Sequence, residues 1–241
     1  MIAYDFEYYR PGSIEEATHL FHSLDKQGKN PVYYSGRTEI ITLGRVNRVV
    51  TGAVIDIKGI PKCQVLQMEQ NQLVMGAALP LTKLIESQLF PLLSQTAGEI
   101  ADRTARNKIT LGGNVCGNIY YREAILPLLL TDSQVGIAGE QGIKYVPIHQ
   151  IFDENIQLTK GELLVQVITD QRYLYLPFVS VKKRKQWNIG YPLLTVAALK
   201  QEDHIRVAMS GVCPFPFRDQ RIWNKKPVFK LYGDGLLCSR V

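Results

Sequence analysis

The chain has 241 residues, 46% of them hydrophobic and 21% charged, with a formal net charge of +6. That length and composition support a sizeable buried core in one or two domains and exclude the disordered and fibrous classes. Apolar stretches such as 124–130 fall well short of the roughly 20 residues that span a bilayer. The opening Met1-Ile2-Ala3-Tyr4-Asp5-Phe6-Glu7 has neither a basic n-region nor an apolar h-region, so a soluble, cytoplasmic protein without a membrane partner is expected.

The positive charge is unevenly placed. From residue 218 onward, Arg218, Arg221, Lys225, Lys226, Lys230 and Arg240 oppose Asp219 and Asp234, which leaves only +2 for the first 217 residues. The other basic cluster, Lys182-Lys183-Arg184-Lys185, is short and lies beside apolar strand-like sequence, so nucleic acid is not expected as a partner. Cys63, Cys116, Cys213 and Cys238 lie far apart with no C-x-x-C, which fits neither a zinc site, a thioredoxin-type motif nor an iron–sulfur cluster.

Three stretches follow one another. In the first, Ser13-Ile14-Glu15-Glu16 has the S-x-x-E capping pattern, and Ile14, Ala17, Phe21 and Leu24 recur at helical spacing, which predicts a helix over 14–26. Asn30-Pro31 breaks it; Val32-Tyr33-Tyr34 reads as a strand entering the turn Ser35-Gly36, and 53–57 as a second strand closing a β-α-β-like unit. The second stretch starts near Gly59, with a strand at 73–76, Thr82 as an N-cap and a longer helix over about 91–105. A glycine-rich segment at 109–118, an apolar segment at 124–130 and strands at 134–138, 143–146 and 162–168 follow. The third stretch has β-like runs at 178–181, 193–199 and 205–209, a meander that something must cover on one face.

His19 and His22 are three apart on one helix face without a third ligand, which reads as a solvated face, and His149 and His204 have no nearby nucleophile. G-x-S-x-G, H-E-x-x-H, Walker A and an early G-x-G-x-x-G are all missing from the sequence. Two glycine turns remain: Ser35-Gly36-Arg37-Thr38-Glu39 and Thr110-Leu111-Gly112-Gly113-Asn114. A residue without Cβ lets backbone N–H groups approach an anion, and Ser, Thr and Asn add donors, so together the turns could hold a diphosphate. Each could also be an ordinary structural turn.

These motifs resemble the FAD-binding subunits and domains of the molybdenum hydroxylases, the xanthine dehydrogenase and carbon monoxide dehydrogenase group, over about residues 1–217. In that family the first turn reads small residue, Gly, Gly or Asn, Thr and often an acid, which this sequence matches except at Arg37. The second, Thr/Ser-Ile/Leu-Gly-Gly-Asn, is matched throughout and preceded by the familiar Arg106-Asn107. Glu123 stands where the family has Asp, and Gly190 where Asp is common. Gly161-Glu162-Leu163-Leu164-Val165 is similar to the strand leaving the FAD domain. The run from Val179 to Tyr191-Pro192-Leu193 is similar to the start of the C-terminal domain of purine-hydroxylating members, with Lys182 matching a lysine near the flavin.

The resemblance implies an α+β fold: a two-subdomain FAD-binding domain (PCMH-like), at 1–58 and 59–172, then a smaller α+β C-terminal domain with an antiparallel sheet at 173–241, expected to be incomplete. It implies FAD as cofactor, held by Tyr34, Ser35, Gly36, Arg37, Thr38, Glu39, Thr110, Gly112, Gly113, Asn114, Cys116, Glu123, Val165, Lys182 and Tyr191, with no catalytic acid and no metal ligand. Both amide nests would meet the diphosphate. The implied partners are a molybdenum-cofactor large subunit, a [2Fe–2S] small subunit, and NAD or another electron acceptor. Two other readings stay open: an assembly subunit without flavin, and another FAD- or nucleotide-binding oxidoreductase of related fold.

Overall fold

The protein is described by a computed structural model covering residues 4–119, 122–184 and 192–219. The first stretch contains β1 (Glu7–Tyr9), α1 (Ile14–Lys26), β2 (Val32–Tyr34), α2 (Thr38–Arg45) and β3 (Ala53–Asp56). The three strands form a parallel sheet in the order β1-β3-β2. All of β3 is buried, as the central strand of a covered parallel sheet should be. Helix α1 starts where the capping pattern predicts: the Ser13 hydroxyl accepts from Glu16 N–H at 3.1 Å. The Glu16 carboxylate reaches one residue further back than a standard capping box, to Gly12 N–H at 2.7 Å. Ile14, Ala17, Phe21 and Leu24 are buried against β3 and its neighbours. Strand β1 and helix α2 were not legible in the sequence.

The second stretch supplies β4 (Leu66–Glu69), β5 (Gln72–Gly76), α3 (Leu81–Ser87), α4 (Pro91–Gly98), α5 (Arg103–Arg106), α6 (Leu111–Cys116), α7 (Ile125–Leu130), β6 (Gln134–Gly139), β7 (Gly142–Pro147), α8 (Ile148–Ile151), the two-residue strands β8 (Phe152–Asp153) and β9 (Asn155–Ile156), and β10 (Leu163–Asp170). The main sheet is antiparallel in the order β4-β5-β10-β6-β7. Between β4 and β5, Gln70 and Asn71 both have positive φ, the signature of a tight hairpin turn matched to strand twist. Two expectations are corrected. Thr82 is the second residue of α3, which is preceded by Pro80 as its cap. The helix expected over 91–105 is two helices, because Ala101 takes φ +46 and Asp102 caps a new start by accepting from Ala105 N–H at 2.7 Å.

The third stretch is the antiparallel meander β11 (Phe178–Arg184), β12 (Pro192–Gln201), β13 (His204–Ser210) and β14 (Phe217–Asp219). One face carries Ala197, Leu199 and Ala208 into the main core beside the α7 residues Ile125 and Leu128, so the second stretch covers it. Arg206 and Arg218 fasten this packing by donating to the carbonyls of Leu130 at 2.6 Å and Leu129 at 2.9 Å, at the C-terminus of α7. On the other face Val179 and Val181 are 58% and 47% exposed. The expectation of an incomplete C-terminal end concerns residues 220–241, which lie outside the described residues.

Candidate functional site: a cavity between two glycine turns and a third-sheet strand

Strand β2 ends at Tyr34 and the chain turns at once into α2, so Ser35, Gly36 and Arg37 form the rim of a cavity of about 820 Å³. Arg37 has φ +67, a left-handed conformation that favours Gly or Asn, and it is the N-cap of α2. That geometry accounts for the Gly or Asn the resemblance leads one to expect there, and arginine still adopts it. The N–H groups of Thr38, Glu39 and Ile40, in the first turn of α2, have no intrahelical acceptor. Lys58 pins the turn from behind. Its Nζ donates to Ser35 O at 3.2 Å and to both Asp56 oxygens at 2.7 Å, and lies 5.0 Å from the Tyr34 ring centre.

The second turn is built differently. Thr110 caps α6, its Oγ1 accepting from Gly113 N–H at 3.2 Å. Gly112 N–H donates to Ala77 O at 2.8 Å, Leu111 N–H to Leu79 O at 2.9 Å, and Asn114 N–H to Thr110 O at 2.9 Å. The Asn114 carboxamide oxygen accepts from Ala124 N–H at 3.1 Å. The expected pair of amide nests is therefore corrected to one. The N–H groups of Leu111, Gly112, Gly113 and Asn114 are already engaged, and what the turn presents to the cavity is the Thr110 hydroxyl proton and a flat glycine surface. Its glycines serve close packing: a Cβ on Gly112 would stand 2.7 Å from Ala77 Cβ. Gly36 does the same between the turns.

Glu39 joins the two turns across the cavity rim. Its Oε1 accepts from Asn118 N–H at 2.8 Å, just past the end of α6, where a Cβ on Gly117 would meet its Oε2 at 2.6 Å. The third stretch closes the other wall. Lys182 Nζ donates to Glu123 Oε1 at 2.8 Å and Glu99 O at 2.6 Å, and Arg184 pairs with Glu99 at 2.6 Å. Both members of the Lys182–Glu123 pair have almost fully buried side chains. The neighbouring Arg122 anchors that segment to β8 and β9 through Asn155 Oδ1 and Glu154 O.

The cavity thus gathers Tyr34, Ser35, Gly36, Arg37, Thr38, Glu39, Thr110, Gly112, Gly113, Asn114, Cys116, Glu123 and Lys182 from three separate stretches of chain. Cys116 is chemically quiet: burial pushes its thiol up to about 12, with Glu39 adding to the rise and Arg122 opposing it. Val165 is corrected. It is fully buried in the core under α1, and its neighbours Leu163 and Leu164 line the cavity instead. Tyr191 and Gly190 lie outside the described residues. The sequence reading missed Lys58, Glu99 and Arg184; only Arg184 carried a signal, lying two residues from Lys182 on the same strand face. Among the described residues no group of three or more His, Cys, Asp and Glu is arranged to hold a metal ion.

Two buried polar atoms on the cavity wall have no hydrogen-bond partner, Ser35 Oγ and Glu123 Oε2. Such atoms are costly unless a ligand or solvent satisfies them. The free first-turn amides of α2 suit an anion, and a lone carboxylate oxygen suits an N–H or O–H donor, so the residues present fit a cofactor with a phosphate end and a hydrogen-bonding ring or polyol.

Residues 4–169 match the FAD binding domain in molybdopterin dehydrogenase. The chain belongs to that family; FAD is its cofactor, and it is a flavin-dependent oxidoreductase component. Similar proteins include the nicotinate dehydrogenase FAD-subunit of Eubacterium barkeri, 24% identical over 87% of this chain and 71% of that protein. The carbon monoxide dehydrogenase medium chain of Hydrogenophaga pseudoflava is 25% identical over 90% of this chain and 78% of its own length. The xanthine dehydrogenase FAD-binding subunit of Escherichia coli O157:H7 is 26% identical over 67% and 57% respectively. The fold is that of a chain of the Hydrogenophaga pseudoflava carbon monoxide dehydrogenase that lacks the Mo-pyranopterin moiety, with a TM-score of 0.84 at 23% identity over 95% of this chain and 83% of that one.

Proposed function

We propose that this chain is the flavin subunit of a three-subunit molybdenum hydroxylase, partnered by a molybdenum-cofactor large subunit and a [2Fe–2S] small subunit. Electrons taken from an organic substrate on another polypeptide leave through this subunit to NAD or another acceptor. The bound flavin supplies the redox chemistry. The residues of the chain bind and orient it. Thr38, Glu39 and Ile40 N–H groups and the Ser35 and Thr110 hydroxyls would donate to the diphosphate, while Glu123 Oε2 would accept from an N–H or O–H group of the cofactor. Lys182, held by Glu123 and Glu99, keeps a positive charge in the opposite wall. Gly36 keeps the two turns close, Gly112 packs the second turn on Ala77, Gly113 leaves room for the Thr110 cap, Asn114 fixes α6 to α7, and Glu39 holds the turns in register.

Among the organic substrates of this enzyme group we favour a purine, from the Val179 to Leu193 motif, and a cytoplasmic location from the N-terminal composition. Among the described residues no helix is long and apolar enough to cross a membrane. The observation that carries the cofactor assignment is the pair of unpartnered buried atoms, Ser35 Oγ and Glu123 Oε2, facing one cavity in a chain of this family. Purified protein should carry a flavin absorption spectrum at one FAD per chain, and affinity purification from the native host should bring down molybdenum and iron–sulfur polypeptides. Colourless protein that stays colourless when incubated with FAD would remove the assignment.

A further inference from the structure

We propose that the Arg37 side chain supplies the counter-charge for the cofactor diphosphate, a role a neutral Gly or Asn at the same backbone position cannot fill; this rests on the FAD reading above. The cavity lining is short of positive charge. Five carboxylates border it (Glu39, Glu99, Asp102, Glu123 and Glu162) against three cations, Arg37, Lys182 and Arg184. Lys144 from outside the lining pairs with Glu162, which leaves Glu39 and Asp102 without a cationic partner among the described residues. Lys182 is paired with Glu123, and Arg184 with Glu99. Lys58, just behind the first turn, is paired with Asp56. Among the described residues Arg37 is the one lining cation with no carboxylate partner.

Its position suits the task. Arg37 is the N-cap position of α2, an exposed residue of the cavity lining that directly precedes the free amides of that helix and follows the unpartnered Ser35 hydroxyl by two residues. Its charge already acts on the neighbouring Tyr34, whose phenol is pushed up by burial and pulled back by Arg37. A diphosphate entering a wall with excess carboxylates needs at least one uncommitted cation, and a guanidinium can meet two phosphate oxygens at once. The left-handed φ of +67 is unfavourable for arginine, so the residue holds this position against its own backbone preference.

The test is a fluorescence titration of the full chain, freed of cofactor, with FAD and with riboflavin, which has the ring but no phosphates, at low and high salt. Wild type should bind FAD with an affinity that falls as salt rises. Arg37→Gly and Arg37→Asn should weaken FAD about tenfold or more and flatten the salt dependence, leaving riboflavin binding unchanged, while Arg37→Lys keeps part of the FAD affinity. The thermal midpoint of cofactor-free Arg37→Gly should be no lower than that of wild type, because glycine accepts the backbone conformation. Unaltered FAD affinity and salt slope in Arg37→Gly and Arg37→Asn would overturn the proposal and leave the FAD reading standing, as would an equal loss for FAD and riboflavin. Wild type that binds no FAD overturns both.

Discussion

A Cβ atom placed on Gly36 would stand 2.5 Å from the carbonyl oxygen of Lys108 and 3.1 Å from Thr110 N. The turn after β2 and the turn before α6 are therefore in backbone contact, 72 residues apart in sequence between Gly36 and Lys108. Neither neighbour is a flexible side-chain end, so Gly36→Ala must push the two turns apart. The expected cost is about 1–3 kcal/mol, as for overpacking elsewhere, together with a loss of FAD affinity of about tenfold or more. Urea unfolding and a flavin titration measure the two effects. An alanine variant with unchanged affinity would mean that the spacing of the turns does not set the binding geometry.

Removing one member of the buried Lys182–Glu123 pair should be more damaging than removing both. Glu123→Ala leaves the ammonium without its carboxylate, at a cost of about 3–5 kcal/mol, whereas an apolar double replacement of both residues recovers most of that loss. Glu123→Ala should also weaken flavin binding, since Glu123 Oε2 faces the cavity. A double-mutant cycle in urea reads the coupling; additive single losses would show that the two side chains do not act as a pair.

Gly113 is the one glycine of the second turn whose missing Cβ faces only its own cap. A Cβ there would approach Thr110 Oγ1 at 2.9 Å and displace the hydroxyl that caps α6. A bulky replacement such as Gly113→Val should cost about 1 kcal/mol through the cap and abolish flavin binding, with far-UV circular dichroism retained. Yellow protein after this change would argue that the second turn is no part of the cofactor site.

Acid should loosen the first turn through Asp56. Burial pushes its carboxyl up, but hydrogen bonds from Lys58 and Tyr8 outweigh that and leave it below the usual carboxylate range. A group whose folded pKa is depressed contributes stability that is full above the unfolded value, about 3.9, and is lost as pH falls from there through the folded value. Thermal midpoints of wild type should fall more steeply below about pH 4 than those of Asp56→Asn. Parallel curves for the two proteins would show that Asp56 does not contribute to the acid limb.

Much of the local structure was determined by the sequence alone. Ser13 and the spacing of Ile14, Ala17, Phe21 and Leu24 specify the start and the buried face of α1, because capping and amphipathic periodicity are short-range effects. The strands at β2, β3, β5 and β6, and the two glycine turns, were legible for the same reason. What the turns do was decided only by tertiary contacts. Gly112 and Gly113 suggested an open amide nest, but Ala77 O and Thr110 Oγ1 occupy those donors, and no local pattern reveals an acceptor 35 residues away at Ala77. The same holds for Glu39 meeting Asn118 N–H and for Lys182 meeting Glu123, pairings made when three sheets pack around one cavity. Residue types limit which hydrogen bonds can form; long-range packing selects the ones that do, and so decides which polar atoms remain free for a ligand.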